Sequence, residues 1–118
     1  MNFKIEKFDK YALVVVFAEK LDTSIAPTLK SELVVLNSEG VKNIIIDLSN
    51  SRYCDSSGLS AILVANRLCK NSKGAFVLRG LQEPVKKLIS ITQLDTILNI
   101  AENEKESIDL LSTTEIEG

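Results

Sequence analysis

The chain has 118 residues, with 16 acidic and 14 basic side chains and no histidine. This length fits one domain with a proper core, and the composition, 45% apolar and 25% charged, is that of an ordinary globular protein. Without histidine, a Ser-His-Asp triad, a Cys-His pair and imidazole metal ligands are all excluded, which removes most familiar hydrolytic and metal chemistries.

Cysteine spacing, apolar runs and charge distribution limit the location and the partners of the protein. Cys54 and Cys69 are too far apart for a CxxC motif, and we expect both to be reduced thiols in a cytoplasmic protein. The longest apolar run, Tyr11–Ala18, is far shorter than the about 20 residues of a membrane-spanning helix, so we expect no direct membrane insertion. Basic residues form no stripe, which argues against nucleic-acid binding.

Apolar periodicity and turn residues divide the chain into alternating strands and helices. The predicted strands are residues 3–8, 11–18, 41–48, 75–78 and 96–100. The predicted helices are residues 25–36, residues 56–71, a helix that opens at Pro84, and residues 103–112. This order predicts a single-domain α/β fold with a mixed, mostly parallel sheet, an antiparallel first strand and about four helices. We interpret residues 1–112 as the domain and residues 113–118 as an acidic C-terminal tail.

One strand-to-helix turn carries unusual chemistry, the segment Asp55-Ser56-Ser57-Gly58. It follows a central strand, and ligands of parallel sheets bind where the carboxyl ends of strands lead into helices. Asp and Ser at a helix start accept hydrogen bonds from free backbone N–H groups, so plain capping explains the segment. The functional alternative is that Gly58 leaves the backbone around the hydroxyl groups unshielded, so that another molecule can come close.

The helix that follows is apolar around more than half of its circumference. One set of its apolar side chains can face the sheet: Leu59, Ile62, Leu63 and Cys69. A second set lies to the side: Ala61, Val64, Ala65 and Leu68. A helix packed on one face of a sheet needs a narrower apolar stripe. Two explanations stay open: the helix is wedged between neighbouring helices, or the second set forms a partner-binding face.

A serine nucleophile is the catalytic alternative for Ser57. The nearest downstream lysines, Lys70 and Lys73, lie several helical turns away, and no Ser-x-x-Lys spacing occurs around Ser57. Asp22 and Asp55 can form a carboxylate pair, but neither has an evident acid–base partner, and as solvated loop acids they need none. We therefore expect no enzyme activity, no metal and no cofactor.

Asp55-Ser56-Ser57-Gly58-Leu59, placed after a central strand and before an apolar helix, resembles the STAS family of bacterial anti-sigma factor antagonists. Further similarities are Leu21-Asp22, Ile46–Ser49, Pro84–Leu88 and Leu94-Asp95. The resemblance spans residues 3 to about 111. Two turns, Asp9-Lys10 and Glu19-Lys20, depart from the glycines that are frequent in the family, and these positions concern loop shape rather than function.

The resemblance implies a protein that binds a kinase-type anti-sigma factor and is released when that kinase phosphorylates Ser57, with Ser56 as the second choice. It also implies a PP2C-type phosphatase that removes the phosphate. The partner-binding residues that we expect are Asp22, Asp55, Ser56, Ser57, Gly58, Leu59, Ala61, Val64, Ala65 and Leu68. The alternative within the family is a non-phosphorylated STAS subunit of a membrane transport or lipid-trafficking complex.

Overall fold

Strands occupy the β-branched apolar runs of the chain, and helices begin after turn residues. The structure is a computed structural model that describes residues 2–117, with side chains up to residue 111. Within this part of the chain, the strands are β1 (Phe3–Lys7), β2 (Ala12–Val16), β3 (Lys20–Leu21), β4 (Ile44–Asp47), β5 (Tyr53–Cys54), β6 (Phe76–Arg79) and β7 (Asn99–Ala101). The helices are α1 (Ala26–Ser38), α2 (Ser56–Asn71), α3 (Glu83–Ile91) and α4 (Glu104–Glu117).

Five of the strands form one mixed sheet in the order β1-β2-β4-β6-β7, and β3 and β5 form a separate parallel pair. β1 and β2 make an antiparallel hairpin, whereas β2–β4, β4–β6 and β6–β7 are parallel neighbours. Each parallel connection contains a helix, because parallel strands cannot be joined by a tight turn. The predicted α/β fold with an antiparallel first strand and four helices is confirmed.

The sheet is covered on both faces, which explains why its central strands are apolar on both sides. Side chains alternate along each strand, so Val14 and Ile46 enter the larger cluster with α1, α2 and α3. Leu13 and Ile45 point to the opposite face, where Leu111 of α4 joins them in a smaller cluster.

Helices α1 and α2 lie side by side and begin at the same end of the sheet. Near their C-terminal ends, the Asn37 amide donates to the Ser72 hydroxyl at 2.7 Å and to the Leu68 carbonyl at 3.4 Å. Just before their N-terminal ends, β3 pairs with β5. The starts of both helices therefore meet at the carboxyl ends of β2 and β4, where the sequence predicts the functional site.

Three departures from the predicted elements have local causes. The last strand begins only at Asn99, because residues 94–96 form a 3-10 turn behind Gln93, whose backbone is left-handed with φ 62°. The pair β3–β5 is not predicted, since two residues are too short to display a strand period. α4 continues to Glu117 instead of ending at residue 112, and the side chains of the predicted acidic tail lie outside the described residues.

Candidate partner-binding site at the start of α2

Asp55 is the N-cap residue of α2, and its carboxylate orients the serine beside it. Asp55 Oδ1 accepts the Gly58 N–H at 3.0 Å and the Ser57 hydroxyl at 2.6 Å. The hydrogen bonds from Ser57 and Gly58 lower the pKa of Asp55, which keeps this carboxylate charged at neutral pH. Capping, as expected from the sequence, is therefore present, and it also holds the Ser57 hydroxyl in one orientation.

Asp22 comes next to Asp55 because the short strands β3 and β5 pair in parallel. Leu21 is opposite Cys54 in this pair, and the Asp55 N–H donates to the Leu21 carbonyl at 3.3 Å. Asp22 Oδ1 accepts both the hydroxyl and the N–H of Ser24, at 2.6 Å and 3.0 Å. These hydrogen bonds lower the pKa of Asp22, and the nearby Asp55 charge partly opposes them. Two ionised carboxylates therefore stand together at the N-terminal end of α2.

Gly58 is needed for packing within the chain. It is buried, and a Cβ atom at this position would overlap the Leu21 carbonyl oxygen and approach Cys54 Sγ to 2.7 Å. The space beside Gly58 is filled by β3 and β5, so it is closed to another molecule. The structure thus corrects the prediction that Gly58 exposes the backbone to a partner: its missing side chain lets β3 lie against the first turn of α2.

Two residues of the expected partner-binding face, Ala61 and Ala65, are fully buried. They belong to the larger core cluster, together with residues of α1 and of the sheet. Leu59 and Leu68 are half-buried and also pack against this cluster. We therefore remove Ala61 and Ala65 from the partner-binding face, because this side of α2 is wedged into the core, as the first of the two explanations proposed.

The accessible face of α2, here called the α2 stripe, consists of Ser56, Ser60, Leu63, Val64 and Arg67. Their spacing places them one above another on a single side of the helix. Leu63 and Val64 are half-buried, like Leu59 and Leu68, but belong to neither core cluster. Leu63 was expected to face the sheet, and this expectation is wrong. Leu63 lies two helical turns after the exposed Ser56, and this spacing would have placed Leu63 on the outer side of the helix.

The loop in front of α2 is fastened to the end of β2 and presents an aromatic ring that the sequence analysis missed. The Ser51 hydroxyl donates to the Ala18 carbonyl at 2.8 Å, and the N–H groups of Arg52 and Tyr53 donate to the Glu19 carbonyl at 2.8 Å and 3.2 Å. The Tyr53 side chain is 51% exposed, although its neighbour in β5 is buried. The sequence signal that could have found this ring is an aromatic residue just before the capping segment.

The two cysteines are free: Cys54 lies just before the start of α2, and Cys69 lies in the last turn of this helix. Cys54 and Cys69 are both buried. Burial raises the pKa of each thiol to about 12, and for Cys54 the Asp55 charge adds to this shift. A thiol that stays protonated is a poor nucleophile and a poor metal ligand. Among residues 2–111, whose side chains the structure describes, no group of three or more acidic, cysteine or histidine side chains is placed to hold a metal. No helix within residues 2–117 is long and apolar enough to cross a bilayer.

The site therefore combines an oriented serine hydroxyl, two carboxylates and the α2 stripe with its two apolar residues, Leu63 and Val64, at one end of the sheet. A family model described as the STAS domain matches residues 2–107, nearly the whole chain. The chain belongs to the STAS domain family. Its curated relatives include an anti-sigma-B factor antagonist of Staphylococcus epidermidis, 32% identical over 105 residues, which covers 86% of this STAS domain and 95% of the relative.

Solved structures show the same fold. This STAS domain superposes on a Thermotoga maritima protein described as an anti-sigma factor antagonist with a TM-score of 0.83 and 25% identity, over 93% of this chain and 94% of that one. The Bacillus cell fate determinant SpoIIAA in its phosphorylated form gives a TM-score of 0.73 and 21% identity, over 91% and 96% of the two chains. At that lower identity the likeness concerns the fold alone.

Proposed function

We propose that this STAS domain is an anti-sigma factor antagonist, which binds a kinase-type anti-sigma factor and is switched off by phosphorylation of Ser57. The observation that carries the proposal is the Ser57 hydroxyl, held by Asp55 at 2.6 Å at the first turn of a helix whose outer stripe is apolar at Leu63 and Val64. The name of the Staphylococcus epidermidis relative supports the same assignment.

The position of Ser57 suits a phosphate acceptor. Its hydroxyl hydrogen is engaged by Asp55, so the oxygen lone pairs are left for the phosphoryl group. Ser56 is more exposed than Ser57, but Asp55 orients only the Ser57 hydroxyl, which keeps Ser57 as our first choice. The kinase supplies the nucleotide and the catalytic groups, and a PP2C-type phosphatase restores the hydroxyl.

Phosphorylation changes the surface rather than the fold. Phosphate replaces the hydroxyl hydrogen and brings a charge of about −1.5 to −2 at pH 7, so the contact with Asp55 becomes a repulsion. The phosphoserine side chain must then turn away from Asp55. The helix N-terminus stabilises the new charge by about 0.3–2 kcal/mol, so we expect the domain to remain folded. The partner meets a dianion beside Asp22 and Asp55 at the rim of an apolar contact, which is costly.

Binding measurements on two Ser57 variants test this switch. The anti-sigma factor of the same organism is purified, and its affinity is measured for the wild type, Ser57→Ala and Ser57→Asp. We expect Ser57→Ala to bind nearly as well as the wild type and Ser57→Asp to bind at least about tenfold more weakly, a loss of about 1.4 kcal/mol. Ser31→Asp, an exposed serine of α1, is the matched control and should keep full affinity. Equal affinities for the two Ser57 variants would contradict the proposal.

Capture from the organism's own cells separates this proposal from a role in a transport or lipid-trafficking complex. The tagged chain is recovered with its partners, and its phosphorylation sites are mapped by mass spectrometry. A kinase-type anti-sigma factor together with phosphate on Ser57 is the expected result. Recovery of transporter subunits alone, with Ser57 unmodified, would replace the proposal with that alternative. A serine-directed covalent probe that labels Ser57 would instead favour an enzyme.

A further inference from the structure

β1 is the outermost strand of the sheet, and within the described residues no strand pairs with its outer edge. Two hydrogen bonds flanking the β1–β2 ladder show which backbone groups point inward: the Phe8 N–H donates to the Tyr11 carbonyl at 2.8 Å, and the Phe17 N–H donates to the Asn2 carbonyl at 2.7 Å. Backbone groups alternate in direction along an antiparallel pair, so the even-numbered residues of β1 bond to β2. The odd-numbered residues direct their N–H and C=O groups to the edge.

These outward groups belong to Phe3, Ile5 and Lys7. β1 has two protections of an edge strand, its short length and its lysines, but lacks two others. β1 contains no proline, and its register with β2 is unbroken by a bulge, which are two of the usual protections of an edge strand. Beside the edge lies a groove of about 440 Å³ between β1 and α1, lined by Ile5 and Thr28 among others. Ile5 is half-buried on the wall of this groove, where it packs against the larger core cluster.

The charges of β1 complement those of a second β1 in one register only. Antiparallel pairing centred on Ile5 places Lys4 of each copy opposite Glu6 of the other. Shifting the centre to Lys4 would place two lysines face to face, and shifting it to Glu6 would place two glutamates face to face. Like charges directly opposite each other destabilise a strand pair, and opposite charges stabilise it. Lys4 and Glu6 form an ion pair of 3.6 Å along their own strand, and their side chains are 60% and 40% exposed, so in the dimer each exchanges this contact for one with the other copy.

The register centred on Ile5 also pairs the outward backbone N–H and C=O groups of the two copies. It pairs Ile5 with Ile5 and Phe3 with Lys7, which are the residues whose hydrogen-bonding groups face outward. Lys4 and Glu6 then fall in the non-hydrogen-bonded pairs, where side chains approach most closely. The Lys7–Glu39 ion pair of 2.6 Å lies at the end of the edge and leaves the centre open. Backbone direction, charge and exposure thus agree on one arrangement.

We propose that two copies of this chain associate through their β1 edges, antiparallel and centred on Ile5, to form one continuous sheet. Each copy buries the exposed part of its Ile5 against the other, and each directly opposed outward pair contributes about two backbone hydrogen bonds. The partner is a second copy of this chain, because the strand is its own complement in charge. This association is separate from the proposed function and requires neither a kinase nor a phosphate.

Sedimentation equilibrium on the purified chain tests the proposal at protein concentrations from about 5 to 500 µM, which bracket micromolar affinities. We expect a reversible dimer for the wild type. In a dimer of either single variant, Lys4→Glu or Glu6→Lys, residue 4 of each copy faces a like charge at residue 6 of the other copy. We therefore expect each variant to dimerise at least about tenfold more weakly than the wild type. An equimolar mixture of the two variants restores both attractive contacts, and we expect it to form a dimer containing one copy of each.

A control variant on α3 tests whether net charge alone explains the effects of the two substitutions. Lys87→Glu changes the net charge as Lys4→Glu does, but it lies on α3, so we expect this variant to dimerise like the wild type. Mixed with Glu6→Lys, it should not restore dimerisation of the Glu6→Lys chain. Labelling one chain with ¹⁵N lets native mass spectrometry distinguish the mixed dimer from the two homodimers. Thermal melting of each variant confirms that it is folded. A wild-type chain that stays monomeric throughout, or a dimer unaffected by both single variants, would overturn the proposal.

Discussion

Ser57 and Gly58 are adjacent in the chain, yet one faces the surface at the start of α2 and the other packs inside the domain. The Ser57 hydroxyl stays accessible at the start of α2 and is oriented by Asp55, whereas Gly58 lies against the backbone of β3. The sequence could show that both residues stand at a helix start. Whether the glycine makes room for a partner or for the chain itself depends on where Leu21 lies, and Leu21 is far away in sequence.

Gly58→Ala should destabilise the domain. Alanine favours a helix over glycine by about 1 kcal/mol, but the new Cβ would meet the Leu21 carbonyl, and overpacking costs about 1–3 kcal/mol. Because a backbone oxygen cannot swing aside as a side chain can, we expect the clash to prevail. Urea denaturation measures the free energy of unfolding. Ser60→Ala, on the accessible side of the same helix, is the control and should be neutral or stabilising. A more stable Gly58→Ala variant would contradict this packing role.

Individual elements are joined at the carboxyl end of the sheet by polar contacts as well as by apolar packing. Asp47 at the end of β4 accepts the Arg79 Nε–H from β6 at 2.8 Å, and it also accepts the N–H and hydroxyl of Ser49. Both side chains of the ion pair are largely buried, with 12% and 13% exposure. The pair therefore ties two neighbouring parallel strands together just beneath the loops that carry the candidate site.

Acid should weaken this connection. Burial by itself would raise the pKa of Asp47, but the hydrogen bonds from Ser49 and Arg79 outweigh it and hold the pKa below 3.8. A pKa lowered by folding stabilises the folded state above the unfolded-state pKa, and this contribution is lost as the pH falls through the folded-state value. We expect Asp47→Asn to lower the Tm at pH 7 and the difference from the wild type to shrink below about pH 4. An unchanging difference would show that the Asp47 charge is not responsible.

The outer side of α2 offers a second prediction at the level of one element. Leu63 and Val64 are half-buried but pack against neither core cluster, so polar replacements there should cost less stability than replacements in the core. We expect Leu63→Ser combined with Val64→Ser to reduce the affinity for the anti-sigma factor by about tenfold or more while the Tm changes little. Val34→Ser, at a valine of α1 with 51% exposure, is the matched control. Undiminished binding by the double variant would exclude the α2 stripe from the interface.

At the scale of the whole molecule, both thiols are buried in the folded domain. Cys54 joins β5 to the core, and Cys69 lies near the end of α2, so both become accessible only when the packing around α2 opens. Their reactivity therefore reports on the opening of the domain as a unit, independently of any partner.

Thiol labelling with iodoacetamide at pH 8 measures this opening. A pKa of about 12 in the folded state, against about 8.5 in an unfolded chain, leaves on the order of a thousandfold less thiolate, so direct reaction of the folded state is suppressed. We therefore expect the observed labelling to proceed through the opened domain and to be far slower than in denaturant. Ser90→Cys introduces a thiol at an exposed position of α3 and should react rapidly without denaturant. Fast labelling of Cys54 or Cys69 in the native protein would contradict their burial.

The sequence by itself determined the α/β class, the bounds of α2 and the segment that carries Ser57, because periodicity and helix caps are local signals. The tertiary structure decided what lies beside that segment. The two-residue strands β3 and β5 bring Asp22 next to Asp55, and they are too short to leave a pattern in the sequence. The packing of α1 along α2 buries Ala61 and leaves Leu63 accessible. An apolar helix looks the same in sequence whichever side its neighbours cover, so only the packed structure separates its core from its surface.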